Sequence, residues 1–365
     1  MIDFSLYRHT SWGITACACA LIALGLLFIY SGSYQMGKDA GSAYVMRQAT
    51  WGLAGILVAG LLVMLDYRKL AASAFLLYGV FIVLLILLLV TSDPRRGARS
   101  WFSVGEFAVQ PSEFAKIALI LALAKYLSRE DIPRRSASFL GGALLIAAVP
   151  IALILKEPDL GTALVFIPVI FAMLVTAGAR GVYLSGMVMA GVFSLPVGWL
   201  FLKSYQKLRI KVFLDPQLDP LRSGYNAIQS LIAVGGGGLR GQGWLHGTQT
   251  HLRFLPERHT DFIFCVLAEE AGFMGCALLL ALYAVIILSG LRIAEQARDE
   301  FGKLAAVGIT VLLAAHVVIN IGMTIGLLPI TGLPLPLISY GGSSLLSTCV
   351  CLGILQSISA RRYIF

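Results

Sequence analysis

Charge is scarce in this chain. Asp, Glu, Lys and Arg make up 13% of its 365 residues, while 58% are hydrophobic. Soluble domains carry about 25% charged residues, and together with a mean hydropathy of +0.85 this excludes a water-soluble globular fold. Polar linkers, low-complexity tracts and internal repeats are also lacking, so one domain covering residues 1–365 is expected. The cysteines, Cys17, Cys19, Cys265, Cys276, Cys349 and Cys351, include no C-x-x-C pair and sit in apolar runs, which argues against disulfides and a zinc site. The five histidines show no H-E-x-x-H spacing, so no metal is expected to be held by protein ligands alone. Strict alternation of apolar and polar residues is missing too, and with it the membrane barrel.

Long apolar runs are what is there. A hydrocarbon core of about 30 Å takes roughly 17–25 helical residues at about 1.5 Å each, and helices satisfy their own backbone in lipid. Such runs fall at about 11–31, 49–66, 70–90, 112–127, 137–155, 160–176, 181–202, 261–290, 304–327 and 337–359. The expected fold is therefore an all-α polytopic membrane protein with ten transmembrane helices. The first run follows a short basic stretch, "YRH", yet nine further spans make it a retained span rather than a signal peptide. Lys and Arg number twelve on the side of the termini against six in the short loops opposite. By the positive-inside rule both termini are cytoplasmic and the long segment 203–260, between spans seven and eight, is extracytoplasmic. The net charge of +9 then reflects anchoring beside anionic lipid and calls for no nucleic acid.

Segment 203–260 contains "GYNAIQSLIAV", an amphipathic stretch suited to a membrane surface, then "GGGGLRGQGWLHG". The latter matches G-x-G-x-x-G through Gly236, Gly238 and Gly241. No strand precedes it, so close backbone packing is favoured over nucleotide binding.

Ionisable groups at the edges of spans are costly and mark candidate sites. Glu113 and Lys116 share one face of the fourth span, either as a helix-terminal ion pair or facing an anionic ligand. Asp159 in "KEPDLGT" is read first as a helix cap. In "GLPLPLISYGGSSLL", Ser343 can donate to a ligand or bond within its own helix. His316 is read as a hydrogen-bonded packing residue with Asn320 one turn on. The richest stretch is "FLPERHTDFIF", which places Arg258, His259 and Asp261 at the mouth of span eight, ahead of Glu269 and Glu270. Arg47, Arg209 and further arginines and lysines lie on the same side, a composition suited to an anionic pyrophosphate head group.

Taken together, "WFSVGEFAVQPSEFAK", "KEPDLGT", "GWLHGTQTHLRFLPERHTDFIFCVLAEE" and "GLPLPLISYGGSSLL" resemble, in order and over nearly the whole chain, the SEDS family of bacterial membrane proteins (RodA, FtsW, SpoVE). The wording "GWLHGTQ" and "FLPERHTDFIF" and the short amino-terminal tail resemble the RodA branch. The resemblance implies a peptidoglycan glycosyltransferase of the bacterial cytoplasmic (inner) membrane. It would polymerise lipid II into β-1,4 glycan strands during elongation, beside a class B penicillin-binding protein (transpeptidase) and other elongation-complex proteins. By matched motif the family's essential aspartate falls on Asp261, and the resemblance also singles out Glu113, Lys116 and Asp159. Pyrophosphate leaves as an anion, so one base plus charge neutralisation should suffice. Asp261 is the candidate base. A helix start and Arg258 would lower its basicity, which keeps open a second role: holding a divalent cation, Mg2+ or Mn2+. The other functions weighed are a lipid II flippase and a non-catalytic scaffold.

Overall fold

A computed structural model describes residues 10–34, 38–91, 101–104, 107–134, 136–201, 204–219, 223–252 and 254–362. It is helical almost throughout. The helices are α1 (Trp12–Ser33), α2 (Lys38–Met64), α3 (Tyr67–Thr91), α4 (Pro111–Leu127), α5 (Ala137–Lys156), α6 (Leu160–Thr176) and α7 (Gly181–Phe201). Then come the shorter α8 (Ser204–Leu214), α9 (Ser223–Gly236) and α10 (Thr248–His251), followed by α11 (Ile263–Glu295), α12 (Glu300–Thr324) and α13 (Gly342–Ala360). Strands β1 (Phe102–Val104) and β2 (Phe107–Val109) form an antiparallel hairpin ahead of α4, with Phe102 opposite Val109.

Among the described residues, eight helices are long and apolar enough to cross a membrane, and Leu160–Thr176 is a shorter apolar helix. The chain is a multi-pass membrane protein. Its interior is built where α2 packs on α13, α11 on α12 and on α1, α3 on α4, and α12 on α4 and α6. α4, α12 and α13 are the most enclosed, whereas α2 and α3 turn Leu57, Leu61, Leu76 and Val90 outward, as a surface facing acyl chains requires. At the end remote from Asp261, Arg361 donates to the Val63 and Met64 carbonyls at 3.0 and 2.9 Å, closing the last turn of α2.

Two elements depart from the apolar runs. α2 begins at Lys38 rather than near residue 49, so its amino-terminal turns extend beyond the apolar run. α11 runs on to Glu295, and its 33 residues would measure about 50 Å if continuous. It is not continuous: Gly272, at φ 64° and ψ −161°, breaks it. The break strands backbone groups, and the glycine tract takes them up. Gln242 and Gly243 N–H donate to the Glu269 and Glu270 carbonyls at 2.9 and 3.1 Å, while Phe273 and Met274 N–H donate to Gly238 and Leu239 at 2.9 and 3.2 Å. The fit demands glycine, since a Cβ on Gly237 or Gly241 would stand 1.9 or 2.0 Å from the Ala268 or Glu270 carbonyl oxygen. Close backbone packing is thus the tract's role, and "GYNAIQSLIAV" lies within α9, packed on α11.

The connection 325–341 between α12 and α13 folds into the bundle. Leu333, Leu335, Leu337 and Ile338 are buried, and a Cβ on Gly25, inside α1, would meet the Ile338 carbonyl at 2.8 Å. Irregular backbone at membrane depth is tolerated only where protein satisfies it. Here Asn320 donates to the Leu333 carbonyl at 2.7 Å, the Tyr283 hydroxyl to Pro336 at 2.5 Å, and Gln48 to Ser339 at 3.0 Å. His316 reaches the Pro334 carbonyl at 3.5 Å. About 12 Å of helix separates His316 from the end of α12, at roughly 1.5 Å per residue.

Candidate active site around Asp261

Asp261 lies in a turn ahead of α11, and the residue capping that helix is Phe262. A simple cap therefore does not account for its carboxylate. Three successive carbonyls of the turn are held by side chains or backbone from distant segments. Tyr340 N–H donates to His259 at 2.9 Å, the Ser339 hydroxyl to Thr260 at 2.6 Å, and Asn320 Nδ2 to Asp261 at 3.0 Å. The α12–α13 connection and the Asp261 turn are one stitched unit. Asp261 is half-buried, with its Oδ2 over Gly332, where a Cβ would come within 3.3 Å.

The neighbouring charged residues divide into several roles. Arg258 is buried and points inward: its Nε donates to the Gly32 carbonyl at the end of α1, and Nη1 to Thr250 at 2.6 Å. Glu269 is fully buried and accepts from Gln249 N–H at 2.7 Å and from Thr250 N–H and Oγ1 at 3.1 and 2.7 Å, fixing the start of α10. Glu270 accepts from the Ser31 hydroxyl. These contacts brace the segment that leads into the Asp261 turn. His259 behaves differently, packing its ring against Tyr44 and Tyr340 with centroids 5.0 and 5.8 Å away. Arg47 is exposed on the projecting part of α2, beside the Tyr340 hydroxyl.

Asp159 caps α6, accepting from Thr162 N–H and Oγ1 at 3.0 and 2.7 Å, and Gln110 Nε2 approaches it at 3.4 Å. Ser343, buried at the start of α13, receives the Gln110 N–H at 3.1 Å and donates to Ala108 at 3.3 Å, which ties the β hairpin to the helix. Glu113 and Lys116 are not at an open mouth but deep between helices, 4% and 1% exposed. Lys116 Nζ donates to Glu113 at 2.8 Å and contacts His316 Nε2 at 2.9 Å, and the Ser347 hydroxyl donates to the other Glu113 oxygen at 2.9 Å. His316, read from sequence as a packing residue, is thus a member of a buried ionic chain. Its partner is 200 residues away in sequence, and no local signal could have paired them. Arg209 falls in α8, and its side chain, like Arg95, Arg96, Arg99 and Arg253, lies outside the described residues.

The family model described as cell cycle protein, covering FtsW, RodA and SpoVE, matches residues 11–364. The chain belongs to the FtsW/RodA/SpoVE family. Among its relatives, the peptidoglycan glycosyltransferase MrdB of Escherichia coli K12 is 41% identical, with 94% of this chain and 91% of the relative covered. The peptidoglycan glycosyltransferase RodA of Treponema pallidum is 36% identical over 94% of this chain and 96% of its own length. Solved structures agree. Thermus thermophilus RodA superposes with a TM-score of 0.72 at 32% identity, covering 98% of both chains. A chain from a peptidoglycan synthase complex that coordinates polymerization and crosslinking reaches 0.81 at 35% identity, covering 98% of this chain and 99% of that one. The stitched turn makes Asp261 and its surroundings the candidate active site.

Proposed function

We propose that this chain joins disaccharide units of lipid II into β-1,4 glycan at the outer face of the cytoplasmic membrane, with Asp261 as the reacting carboxylate. It is a membrane glycosyltransferase of peptidoglycan synthesis, as the relatives named for that activity indicate. The ten long helices α1 to α7 and α11 to α13 are read as spans, both termini as cytoplasmic and residues 203–260 as extracytoplasmic. A class B penicillin-binding protein is the proposed partner, in keeping with the synthase-complex neighbour.

The observation that carries the role of Asp261 is the bracing of its turn: three consecutive carbonyls are fixed by donors from α12 and the α12–α13 connection. Fixing the backbone holds the carboxylate where an acceptor hydroxyl would arrive, and such preorganisation is what general-base work requires. Displacement of undecaprenyl pyrophosphate from an α-linked donor in one step yields the β-linked product. Among the described residues no group of three or more His, Cys, Asp or Glu forms a metal cage. In the alternative role Asp261 would not take the proton but would hold Mg2+ or Mn2+ through one carboxylate plus the substrate's phosphates, where the ion would neutralise the leaving group.

The test is polymerisation of purified lipid II by the full chain, alone and with its cognate penicillin-binding protein. Asp261→Asn should abolish polymer formation while leaving thermal stability near that of the parent. Full activity in that variant would refute the role of Asp261, and rescue by raised metal concentration would identify it as the cation-holding carboxylate.

A further inference from the structure

The projecting turns of α2 present one helical face to the "SYGG" stretch of the α12–α13 connection. Its residues recur at helical spacing: Tyr44, Arg47, Gln48 and Trp51. The inner two are structural. Gln48 is 1% exposed, accepts from Gly341 N–H at 3.1 Å and donates to Ser339, while Trp51 abuts Gly342 so closely that a Cβ there would lie 2.5 Å from the indole. The outer two are more open. Tyr44 is half-buried, Arg47 is exposed, and Tyr44 meets Tyr340 at 5.0 Å with the rings at 85° to one another. His259, two residues before Asp261, closes the group at 5.0 Å from Tyr44, tilted by 44°. Tyr44, His259 and Tyr340 are each intermediate in exposure.

Two aromatic planes at right angles make a corner with a floor and a wall. A pyranose ring has an apolar C–H face and a polar rim, and the negative face of an aromatic ring attracts such polarised hydrogens. The guanidinium of Arg47 lies beside the Tyr340 hydroxyl at the edge of the same corner, and guanidinium carries five donors in a fork that matches phosphate oxygens. Sugar face, phosphate and carboxylate are thereby offered in adjacent positions.

We infer that Tyr44, Tyr340 and His259 seat the donor sugar, the one whose anomeric carbon bears the diphosphate, with Arg47 on that diphosphate and Asp261 beyond the reacting carbon. The inference rests on the proposed transferase reading and assigns its donor subsite to the projecting turns of α2 where they face the α12–α13 connection. Packing of α2 against the connection is the competing account of the three rings, and the sugar itself separates the two.

The experiment measures binding of lipid II and of undecaprenyl pyrophosphate, which has the lipid and phosphates but no sugar, to the full chain in detergent micelles. The variants are Tyr44→Leu and Tyr44→Phe. The parent should bind lipid II more tightly than undecaprenyl pyrophosphate. Tyr44→Leu should weaken lipid II by about tenfold, the size of a lost aromatic contact, while leaving undecaprenyl pyrophosphate unchanged. Tyr44→Phe, which keeps the ring, should recover most of the lipid II affinity. Equal weakening of both ligands by Tyr44→Leu overturns the inference and marks a packing role, as does unaltered lipid II binding. Polymerisation is read separately: a parent that binds lipid II with this sugar dependence and makes no polymer, alone or with its cognate penicillin-binding protein, sinks the transferase reading and leaves the subsite standing.

Discussion

Replacing Glu113 by Gln removes one charge from the buried chain that links α13, α4 and α12. Lys116 Nζ stands 2.8 Å from Glu113, and at an effective dielectric of about 20 a pair at that distance attracts by about 6 kcal/mol. The adjoining cavity of about 10 Å³ holds at most about one water molecule, too little to hydrate the Lys116 ammonium as bulk solvent would. His316 keeps its contact with Lys116 but brings no negative charge. The single variant should therefore lose about 3–5 kcal/mol, the usual cost of leaving one member of a buried pair alone. The double variant Glu113→Gln/Lys116→Met should regain most of it, since an apolar side chain of similar length needs no counter-ion. Unfolding of the purified protein by graded addition of a denaturing detergent, followed by tryptophan fluorescence, ranks the three proteins. A single variant as stable as the parent, or a double variant weaker than the single, would refute the reasoning.

Two further perturbations probe the scaffold. Gly241→Ala forces a Cβ to within 2.0 Å of the Glu270 carbonyl oxygen at a φ of +78°, and should cost at least about 1–3 kcal/mol; a melting midpoint equal to the parent's would contradict the pairing of the glycine tract with the α11 break. Asn320→Ala withdraws donors from the Asp261 and Leu333 carbonyls, each worth about 1–3 kcal/mol when stranded in a buried place. It should lower kcat for lipid II polymerisation more than it raises KM, and steady-state kinetics showing the reverse would place Asn320 outside the support of Asp261.

Much of the architecture can be read directly from hydropathy, because spans in lipid must be helical and apolar. The apolar runs coincide with α1, α3 to α7 and α11 to α13 to within a few residues at most ends. α2 begins early because Arg47 and Gln48, polar enough to end an apolar run, lie on helix that continues past it. α13 starts at Gly342 rather than 337 because Leu337 to Gly341 are apolar or small and still not helical: Leu337 has a φ of +66°. Hydropathy sees composition and is blind to backbone angles. Of the site residues, Asp261 was marked by charge beside an apolar helix and by motif, and Asp159 by its position before a helix. The buried burdens of Arg258 and Glu269 were not legible, since they depend on carbonyls and amides contributed by α1 and α10. The donors to the Asp261 turn escaped for the same reason: a carbonyl has no sequence signature.

The stitched turn also bears on how the protein is made. Asp261 leaves the ribosome well before its holders, for Asn320, Ser339 and Tyr340 follow it by up to about 80 residues. At roughly 5–20 residues per second that interval lasts about 4–16 s, during which α11 can enter the membrane while the turn ahead of it has none of these three donors. A chain halted before α12 would carry Asp261 without any of the three donors that brace its turn. The bracing of this turn thus arrives late in synthesis, only after the α12–α13 connection has followed α11 into the membrane.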